Sequence, residues 1–152
     1  MTLVAPRTLV LVIDDDADVR NSVAELLILE GYDALPVPSA DAAWSELAVG
    51  VRPALIILDL WLPGMSSGEF IRRLRASRHA RIPVLVLSGT PGSRCEADVD
   101  AVSQKPIEAT TLVRTVDKLV RVGVRNAGPE RRPPRRMPRP KRTSTGGRSS
   151  VS

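Results

Sequence analysis

Polar side chains that could take part in a chemical reaction follow short apolar runs of this 152-residue chain. Asp14 and Asp15 come directly after LVLVI, and Asp59 ends the run LIILD. Ser88 ends a third run, and Lys105 follows a weaker fourth. If these runs are parallel strands of one sheet, their carboxyl ends meet at one edge, where folds of this kind bind ligands. These side chains therefore form the candidate functional site.

The residue types in this set are typical of phosphoryl transfer. Crowded carboxylates repel one another unless a cation joins them. Ligation by oxygen alone suits Mg²⁺, which binds one or two carboxylates together with a substrate phosphate. A lysine ammonium binds phosphoryl oxygens as a point charge, and a serine hydroxyl can hydrogen-bond to one. Since a carboxylate can act as the nucleophile, the set predicts Mg²⁺-assisted phosphoryl transfer onto an aspartate.

The chain that carries this set alternates between strand-like and helix-like segments. Continuous apolar runs rich in Val and Ile are typical of parallel strands covered on both faces. Strands are predicted at Leu9–Ile13, Ala34–Val37, Ala54–Leu58, Val84–Leu87 and Ala101–Val102. Apolar residues at helical spacing predict helices after the first, second, third and fifth strands. The order predicts an α/β fold with a doubly wound, five-stranded parallel sheet.

Local signals predict where these helices begin and end. Gly31 is expected to end the first helix and Gly123 the last, while Ser39 is placed to cap the second. Asp16 and Asp18 are expected to be first-turn acids of the first helix. The helical signal is poor between the fourth and fifth strands, so the fourth helix is expected to be short or irregular.

Four segments resemble the receiver domain of bacterial two-component response regulators. They are IDDDADVR, LIILDLWLPGM, LVLSGT and SQKPI, which occur in this order at the expected strand ends. The resemblance covers about residues 8–123, nearly all of the predicted folded part. It implies a flavodoxin-like receiver fold that accepts a phosphoryl group from a histidine kinase or a phosphotransfer protein.

The resemblance also implies roles for the acidic residues. Asp59 is the implied phosphoacceptor. Asp14 and Asp15 form the acidic pair that holds Mg²⁺ together with it, Asp15 as a direct ligand and Asp14 mainly through water. The backbone carbonyl of Trp61 is implied as a further ligand of the metal.

Other residues are implied to act on the phosphoryl group itself. Ser88 would bind a phosphoryl oxygen and Lys105 would pair with it, while Pro106 fixes the turn after the lysine. Trp61 and Thr90 stand at positions that the resemblance links to the lifetime of the phosphoryl group. A bulky Trp61 could screen the aspartyl phosphate from water, and plain surface packing of this side chain is the alternative.

Three features depart from the family pattern. Ser67 stands where the family usually has a glycine, which predicts a reshaped turn. The span from Ser88 to Lys105 is about one helical turn shorter than usual. Val102 stands at a position where Tyr or Phe is often part of the activation switch. The acceptor set is therefore complete, while the surface that usually reports phosphorylation is altered.

Charge divides the chain into two parts. Residues 125–152 carry nine basic side chains and one acidic side chain, a net charge of +8, whereas residues 1–124 have a net charge of −3. The stretch GPERRPPRRMPRP and the Ser, Thr and Gly residues after it cannot bury enough apolar surface to fold. We therefore predict a receiver domain over residues 1–124 and a disordered, basic, Pro/Arg-rich tail over residues 125–152.

Composition narrows the class of protein further. The single cysteine, Cys95, excludes an internal disulfide framework and favours a reducing compartment. With only one histidine, His79, the chain has no cluster of soft ligands for a structural zinc. No apolar run reaches the roughly 18 residues of a membrane span, and no signal peptide is evident. A cytoplasmic protein is expected, with His79 solvated at the surface and Cys95 an ordinary free thiol.

The leading hypothesis is a stand-alone response regulator that catalyses its own phosphorylation on Asp59. Whether it also removes the phosphoryl group is open. A metabolic enzyme is not expected, since the chain has neither a phosphate-binding G-x-x-x-x-G-K-[ST] loop nor a dinucleotide fingerprint. One alternative is a receiver-fold binding module that works without phosphorylation. Another is a tether whose basic tail makes weak, non-specific contacts with nucleic acid or an anionic surface. The cognate kinase, the downstream partner and the oligomeric state are left open by the sequence.

Overall fold

The computed structural model describes residues 7–90 and 99–126. Within these ranges, the strands are β1 (Leu9–Ile13), β2 (Asp33–Val37), β3 (Leu55–Asp59), β4 (Val84–Ser88) and β5 (Ala101–Gln104). The helices are α1 (Ala17–Leu29), α2 (Ala40–Ala48), α3 (Ser67–Arg75) and α4 (Ala109–Asn126). The alternation of strands and helices confirms the predicted α/β class.

All five strands belong to one parallel sheet in the order β2-β1-β3-β4-β5. The chain moves from β1 outward to β2, then returns past β1 and builds the other half of the sheet from β3 to β5. The strand order therefore reverses between β1 and β3, and ligands of such sheets bind at the carboxyl ends beside this reversal. The doubly wound, flavodoxin-like fold predicted from the sequence is confirmed.

Each of the inner strands contributes side chains to two cores, one on each face of the sheet. On one face Leu11 is buried in the same cluster as Phe70 of α3. On the other face Val10 is buried in a cluster with Leu27 of α1 and Val116 of α4. Successive side chains of a strand point to opposite faces of the sheet. The odd-numbered and the even-numbered positions of these strands must therefore both be apolar. Full burial of each such side chain contributes about 1.5–3 kcal/mol.

The edge strand β5 differs from the inner strands. It pairs only with β4 among the described strands, and its residues alternate between partly buried and exposed. Val102 points outward and is 45% exposed. This alternation explains why the sequence signal for β5 is weaker than for the strands covered on both faces.

The N-cap predicted for the second helix is present, whereas the prediction for Asp16 in the first helix is wrong. The side chain of Asp16 accepts hydrogen bonds from the backbone N–H groups of Asp18 and Val19, so Asp16 is the N-cap of α1 rather than a first-turn residue. Asp18 lies in the first turn, as predicted. Ser39 caps α2 through the N–H of Ala42 at 3.0 Å, and caps of this kind stabilise a helix by about 1 kcal/mol.

Glycines mark the end of one helix but not of the other. Gly31 follows α1 with a φ of 95°, the left-handed conformation typical of glycine after a helix. The prediction that Gly123 ends the last helix is wrong, because α4 continues to Asn126. A Cβ atom at Gly123 would lie 3.3 Å from Cγ of Pro83. The absence of a side chain at Gly123 therefore lets α4 pack closely against the start of β4.

The prediction that His79 is a solvated surface residue is also wrong. His79 is 8% exposed and lies in the turn between α3 and β4. Its backbone N–H donates to Oγ of Ser77 at 3.0 Å, which fixes the turn. Burial, followed by the positive charges of Arg78 and Arg52, lowers the pKa of His79. The local sequence RASRHARIP is polar, and only the packing of the turn against the sheet buries the imidazole.

Some predictions fall outside the described residues. The short or irregular fourth helix and Cys95 belong to the segment 91–98, and the predicted tail from residue 127 onward lies outside as well. Helix α4 reaches Asn126, two residues beyond the predicted domain boundary. Among the described helices, none combines the length and the apolar character needed to cross a membrane.

Candidate functional site

The sheet brings the predicted site residues together at its carboxyl edge. Asp14 and Asp15 follow β1, Asp59 ends β3, Ser88 ends β4, and Lys105 follows β5. The three aspartates can each offer one carboxylate oxygen such that these atoms lie within 4.8 Å of one another. Three carboxylates at this separation form an oxygen-only donor set, the type that Mg²⁺ prefers.

Asp14 is held in place from four directions. Its side chain is almost fully buried, and the residue is 2% exposed. Oδ1 accepts a hydrogen bond of 3.0 Å from the N–H of Asp16, and Oδ2 accepts one of 2.7 Å from Nζ of Lys105. Its backbone N–H donates to the carbonyl of Val37, and its own carbonyl accepts from Arg20 at 2.8 Å. Asp14 is therefore a fixed, preorganised carboxylate, whereas Asp15 beside it is exposed at the rim.

The surroundings of Asp59 disfavour the ionised form of its carboxyl group. It is 8% exposed, and Oδ1 accepts a hydrogen bond of 3.3 Å from the N–H of Trp61. Burial and the neighbouring charge of Asp14 raise the pKa of Asp59, while Lys105 and the Trp61 N–H oppose this shift. A carboxylate with a raised pKa is more basic, and a cation bound beside it would relieve the repulsion from Asp14.

The side chain of Trp61 extends into solvent. It is 66% exposed, although its backbone N–H contacts the acceptor carboxylate. A shielding role for the indole therefore requires it to move over the carboxylate, and its influence on phosphoryl lifetime stays a prediction.

Lys105 supplies the positive charge of the pocket. Its ammonium nitrogen lies 2.7 Å from Oδ2 of Asp14 and 3.5 Å from Oδ1 of Asp59. Burial opposes its ionisation, but the hydrogen bond and charge of Asp14 and then the charge of Asp59 outweigh burial and raise the pKa of Lys105. Its backbone N–H donates to the carbonyl of Ser88 at 2.7 Å, and its peptide bond to Pro106 is cis. The ammonium therefore stays charged between two carboxylates and ready to contact a third anion.

The hydroxyl of Ser88 is buried and engaged within its own loop. Ser88 is 3% exposed. Its Oγ donates to the carbonyl of Thr90 at 3.1 Å and accepts from the N–H of Thr90 at 3.3 Å. To bind a phosphoryl oxygen, the hydroxyl would exchange the Thr90 carbonyl for that oxygen as its acceptor. This exchange would release the backbone of Thr90, a residue that the family resemblance links to the lifetime of the phosphoryl group.

Ser67 is a positioning residue whose contact the sequence did not predict. Its Oγ donates to the carbonyl of Leu60 at 2.7 Å, and the residue is 4% exposed. Leu60 lies between Asp59 and Trp61, so this hydrogen bond ties the start of α3 to the segment beside the acceptor. A glycine, the usual family residue here, has no hydroxyl to do this. The sequence signal for this contact is the adjacent pair of serines, Ser66 and Ser67. Ser66 caps α3 through the N–H of Glu69.

The fold is flavodoxin-like and has an acidic pocket at the carboxyl ends of its strands. Comparison with known proteins identifies the family. The response regulator receiver domain family matches residues 10–117. This chain belongs to that family.

Curated relatives agree with this assignment. The nitrogen assimilation regulatory protein NtrX of Azorhizobium caulinodans is 35% identical over 112 residues, which are 68% of this chain and 24% of that protein. The phosphate regulon transcriptional regulatory protein PhoB of Pseudomonas aeruginosa is 30% identical over 118 residues, 74% of this chain and 51% of that protein. The chain thus spans about a quarter of the one relative and about half of the other.

Solved structures give the same result for the fold. A response regulator receiver protein from Pseudomonas putida matches with a TM-score of 0.68 and 33% sequence identity, covering 76% of this chain and 99% of that chain. A CheY-like receiver domain protein from Methanospirillum hungatei matches with a TM-score of 0.73 at 20% identity, covering 80% of this chain and 99% of that chain. The chain therefore contains the receiver domain of two-component response regulators.

Proposed function

We propose that Asp59 accepts a phosphoryl group from the phosphohistidine of a histidine kinase or phosphotransfer protein, in a Mg²⁺-dependent phosphorelay. The observation that carries this proposal is the close grouping of three carboxylates, within 4.8 Å of one another, around an ammonium 2.7 Å and 3.5 Å from two of them. Membership of the receiver family supports the same reaction. We place the protein in the cytoplasm.

The donor set fits Mg²⁺. The carboxylates of Asp14, Asp15 and Asp59 supply three negative charges, and Lys105 supplies one positive charge. A divalent cation would balance the negative charge that remains. These three residues, with the backbone carbonyl of Trp61, would hold the metal. When bound, Mg²⁺ supplies positive charge that reduces the repulsion between a phosphoryl group and the acceptor carboxylate.

The transfer itself requires Asp59 in its ionised form. A carboxylate oxygen of Asp59 attacks phosphorus, a P–O bond forms, and the P–N bond to the donor histidine breaks with its electron pair on the imidazole nitrogen. No proton has to leave Asp59 during this step. The burial and charge that raise the pKa of this carboxylate also make it a stronger nucleophile.

Lys105 and Ser88 act on the group as it arrives. Lys105 already lies within 3.5 Å of the acceptor oxygen, so its ammonium can contact a phosphoryl oxygen bound there with little movement. Ser88 would turn its hydroxyl from the Thr90 carbonyl to a second phosphoryl oxygen. Preorganised donors of this type contribute about 2.7–4 kcal/mol each in favourable cases.

The added negative charge is the origin of the signal in this proposal. Moving the Ser88 hydroxyl frees Thr90, which changes the surface beside β4 and β5. That surface includes Val102, which is 45% exposed. Output through contacts with a downstream protein stays a prediction from the sequence, as does any contribution from the basic tail.

The proposal is tested by phosphotransfer to the full chain. Histidine kinases are first phosphorylated with ATP, and phosphotransfer proteins are phosphorylated by such a kinase. Each donor is then mixed with the wild type, Asp59→Asn and the matched control Asp16→Asn, and each intact mass is measured. We expect at least one donor to add one phosphoryl group to the wild type and to Asp16→Asn, but not to Asp59→Asn, and EDTA should abolish the gain. Absence of transfer from every donor would favour the module that works without phosphorylation. Equal labelling of Asp59→Asn would overturn Asp59 as the acceptor.

A further inference from the structure

A second cavity lies at the opposite edge of the sheet from the acidic pocket. Its volume is about 230 Å³, and it opens where the chain enters β3 and β4. Ala54 and Pro83 line it and directly precede these strands, whereas Asp59 and Ser88 end them. Since a strand rises about 3.3 Å per residue, the two sites are about 17 Å apart. The cavity is therefore separate from the phosphoryl site.

The floor of this cavity is apolar and stiff. The apolar residues that line it are Pro53, Ala54, Ile82, Pro83 and Val120. Gly123 of α4 also lines it, and the close approach of Gly123 to Pro83 joins the helix to the floor. Two proline rings and a packed helix leave this surface little freedom to rearrange, so the cavity is largely preformed.

The rim of the cavity is basic. Arg52, Arg78 and Arg81 line it together with the buried imidazole of His79. Nε of Arg78 donates to Nε2 of His79 at 3.4 Å, so the imidazole orients this guanidinium. In the part of the chain that the structure describes, neither Arg52 nor Arg78 has a carboxylate within ion-pair distance.

The positive charge of the rim affects the imidazole of His79, which lines the same cavity. After burial, Arg78 and Arg52 are the causes that lower the pKa of His79, and both arginines line the same cavity as the imidazole. Burial and these two positive charges all disfavour the imidazolium form of His79. Such a concentration of positive charge beside an apolar floor is stabilised when an anion joins it.

We propose that this cavity binds a small organic phosphate, with its phosphate group between the guanidinium groups of Arg52 and Arg78 and its apolar body on the proline-lined floor. Guanidinium groups match phosphate oxygens in bidentate geometry, and several of them suit a dianion better than a singly charged group. By liquid volume the cavity holds roughly seven waters, which is room for a compact ring or short chain beside the phosphate. The chain's own basic segment 125–152, with a net charge of +8, is excluded as the occupant by charge.

The lone histidine provides a direct readout. Because the chain has one histidine, its imidazole Cε1–H gives one NMR signal from a group that lines the cavity. The full chain is titrated at constant pH with phenyl phosphate, with inorganic phosphate and with phenol. We expect a saturable shift with phenyl phosphate, at least fivefold weaker binding of inorganic phosphate, and no saturable shift with phenol.

Variants locate the site. Arg52→Gln and Arg78→Gln should each weaken phenyl phosphate at least tenfold. The matched control is Arg73→Gln, since Arg73 is an exposed arginine of α3 paired with Glu69 at 3.1 Å, and it should bind as the wild type does. Arg52 lies in an exposed loop, so Arg52→Gln remains informative if Arg78→Gln fails to fold. A signal that does not saturate, equal affinity for phosphate with and without the ring, or undiminished binding by Arg52→Gln would each overturn the proposal.

Discussion

The ammonium nitrogen of Lys105 lies 2.7 Å from a carboxylate oxygen of Asp14, although 91 positions separate the two residues in the chain. The contact joins the loop after the inner strand β1 to the loop after the edge strand β5. The ammonium is closer to Asp14 than to Asp59, which lies at 3.5 Å. Burial and the charge of Asp14 outweigh the opposing charge of Lys105, so the pKa of Asp59 stays raised.

This arrangement predicts two opposite effects of replacing Lys105 with methionine. Mg²⁺ affinity should rise severalfold, because an ammonium that repels the metal is gone. The rate of phosphorylation should fall about 100-fold, because a preorganised donor to the phosphoryl oxygens is lost. Stopped-flow phosphorylation with acetyl phosphate at saturating Mg²⁺ measures this rate. Lys118→Met, on the exposed side of α4, serves as the control, and a Lys105→Met rate equal to that of the control would contradict the assigned role.

Mg²⁺ affinity should depend on Asp15 and not on Asp16. Asp15→Asn removes one of the three carboxylates that can share a cation, and we expect at least tenfold weaker binding, about 1.4 kcal/mol. Asp16→Asn removes the negative charge of the next residue, whose carboxylate caps α1 and is outside the group of three, and it keeps an efficient helix cap. This variant should therefore bind Mg²⁺ nearly as the wild type does. The exposed indole of Trp61 reports binding by fluorescence when Trp44 is replaced by Phe. Equal losses in the two aspartate variants would indicate a general charge effect instead of ligation.

Asp59→Asn should stabilise the protein when Mg²⁺ is absent. The pKa of Asp59 is raised from 3.8 in the fold, so the folded state binds this proton more tightly than the unfolded state does. Ionisation of Asp59 therefore costs stability as the pH rises above the unfolded value. At pH 7 the free energy of unfolding of Asp59→Asn should exceed that of the wild type.

Urea unfolding with and without Mg²⁺ checks this prediction. Metal at ten times its dissociation constant stabilises a protein by about 1.4 kcal/mol, and this gain should appear in the wild type but be much smaller in Asp59→Asn. Asp33→Asn, at the exposed start of β2, is the control for loss of one charge. A variant Asp59→Asn that is less stable than the wild type in EDTA would contradict the unfavourable charge inferred here.

His79 should make the protein less stable in mild acid. Its pKa is lowered from 6.5 in the fold, so the folded state disfavours the imidazolium relative to the unfolded state. Stability that is present above pH 6.5 is therefore lost as the pH falls below that value. In His79→Gln the decline in unfolding free energy between about pH 7.5 and 5.5 should be smaller than in the wild type, whatever the absolute stability of the variant. Parallel declines in the two proteins would contradict this assignment.

The sheet and the grouping of the site could be predicted because both depend on local pattern. Strands covered on both faces must be apolar at every position, and β3 and β4 were placed within one residue of their observed ends. A parallel sheet then brings all carboxyl ends to one edge, so Asp14, Asp59 and Lys105 had to converge.

The features that the sequence did not predict depend on contacts between distant segments. Gly123 carries the usual signal for a helix end, but inside the helix it packs against Pro83, where a Cβ atom would be a tight fit. His79 lies in a polar stretch, and only the fold buries it. The hydroxyl of Ser67 reaches the carbonyl of Leu60 because the loop after β3 folds back on itself. None of these contacts has a periodicity that a sequence displays.

The central claim, that Asp59 is the acceptor, is tested most directly by locating the modified residue. The full chain is incubated with Mg²⁺ and acetyl phosphate, treated with sodium borohydride, which reduces an aspartyl phosphate to homoserine, and digested with trypsin for mass spectrometry. Asp59 falls in a different tryptic peptide from Asp14 and Asp15, because Arg20 lies between them. We expect homoserine at residue 59 in the wild type and in the control Asp16→Asn. Homoserine at residue 14 or 15, or none at any aspartate, would contradict the account.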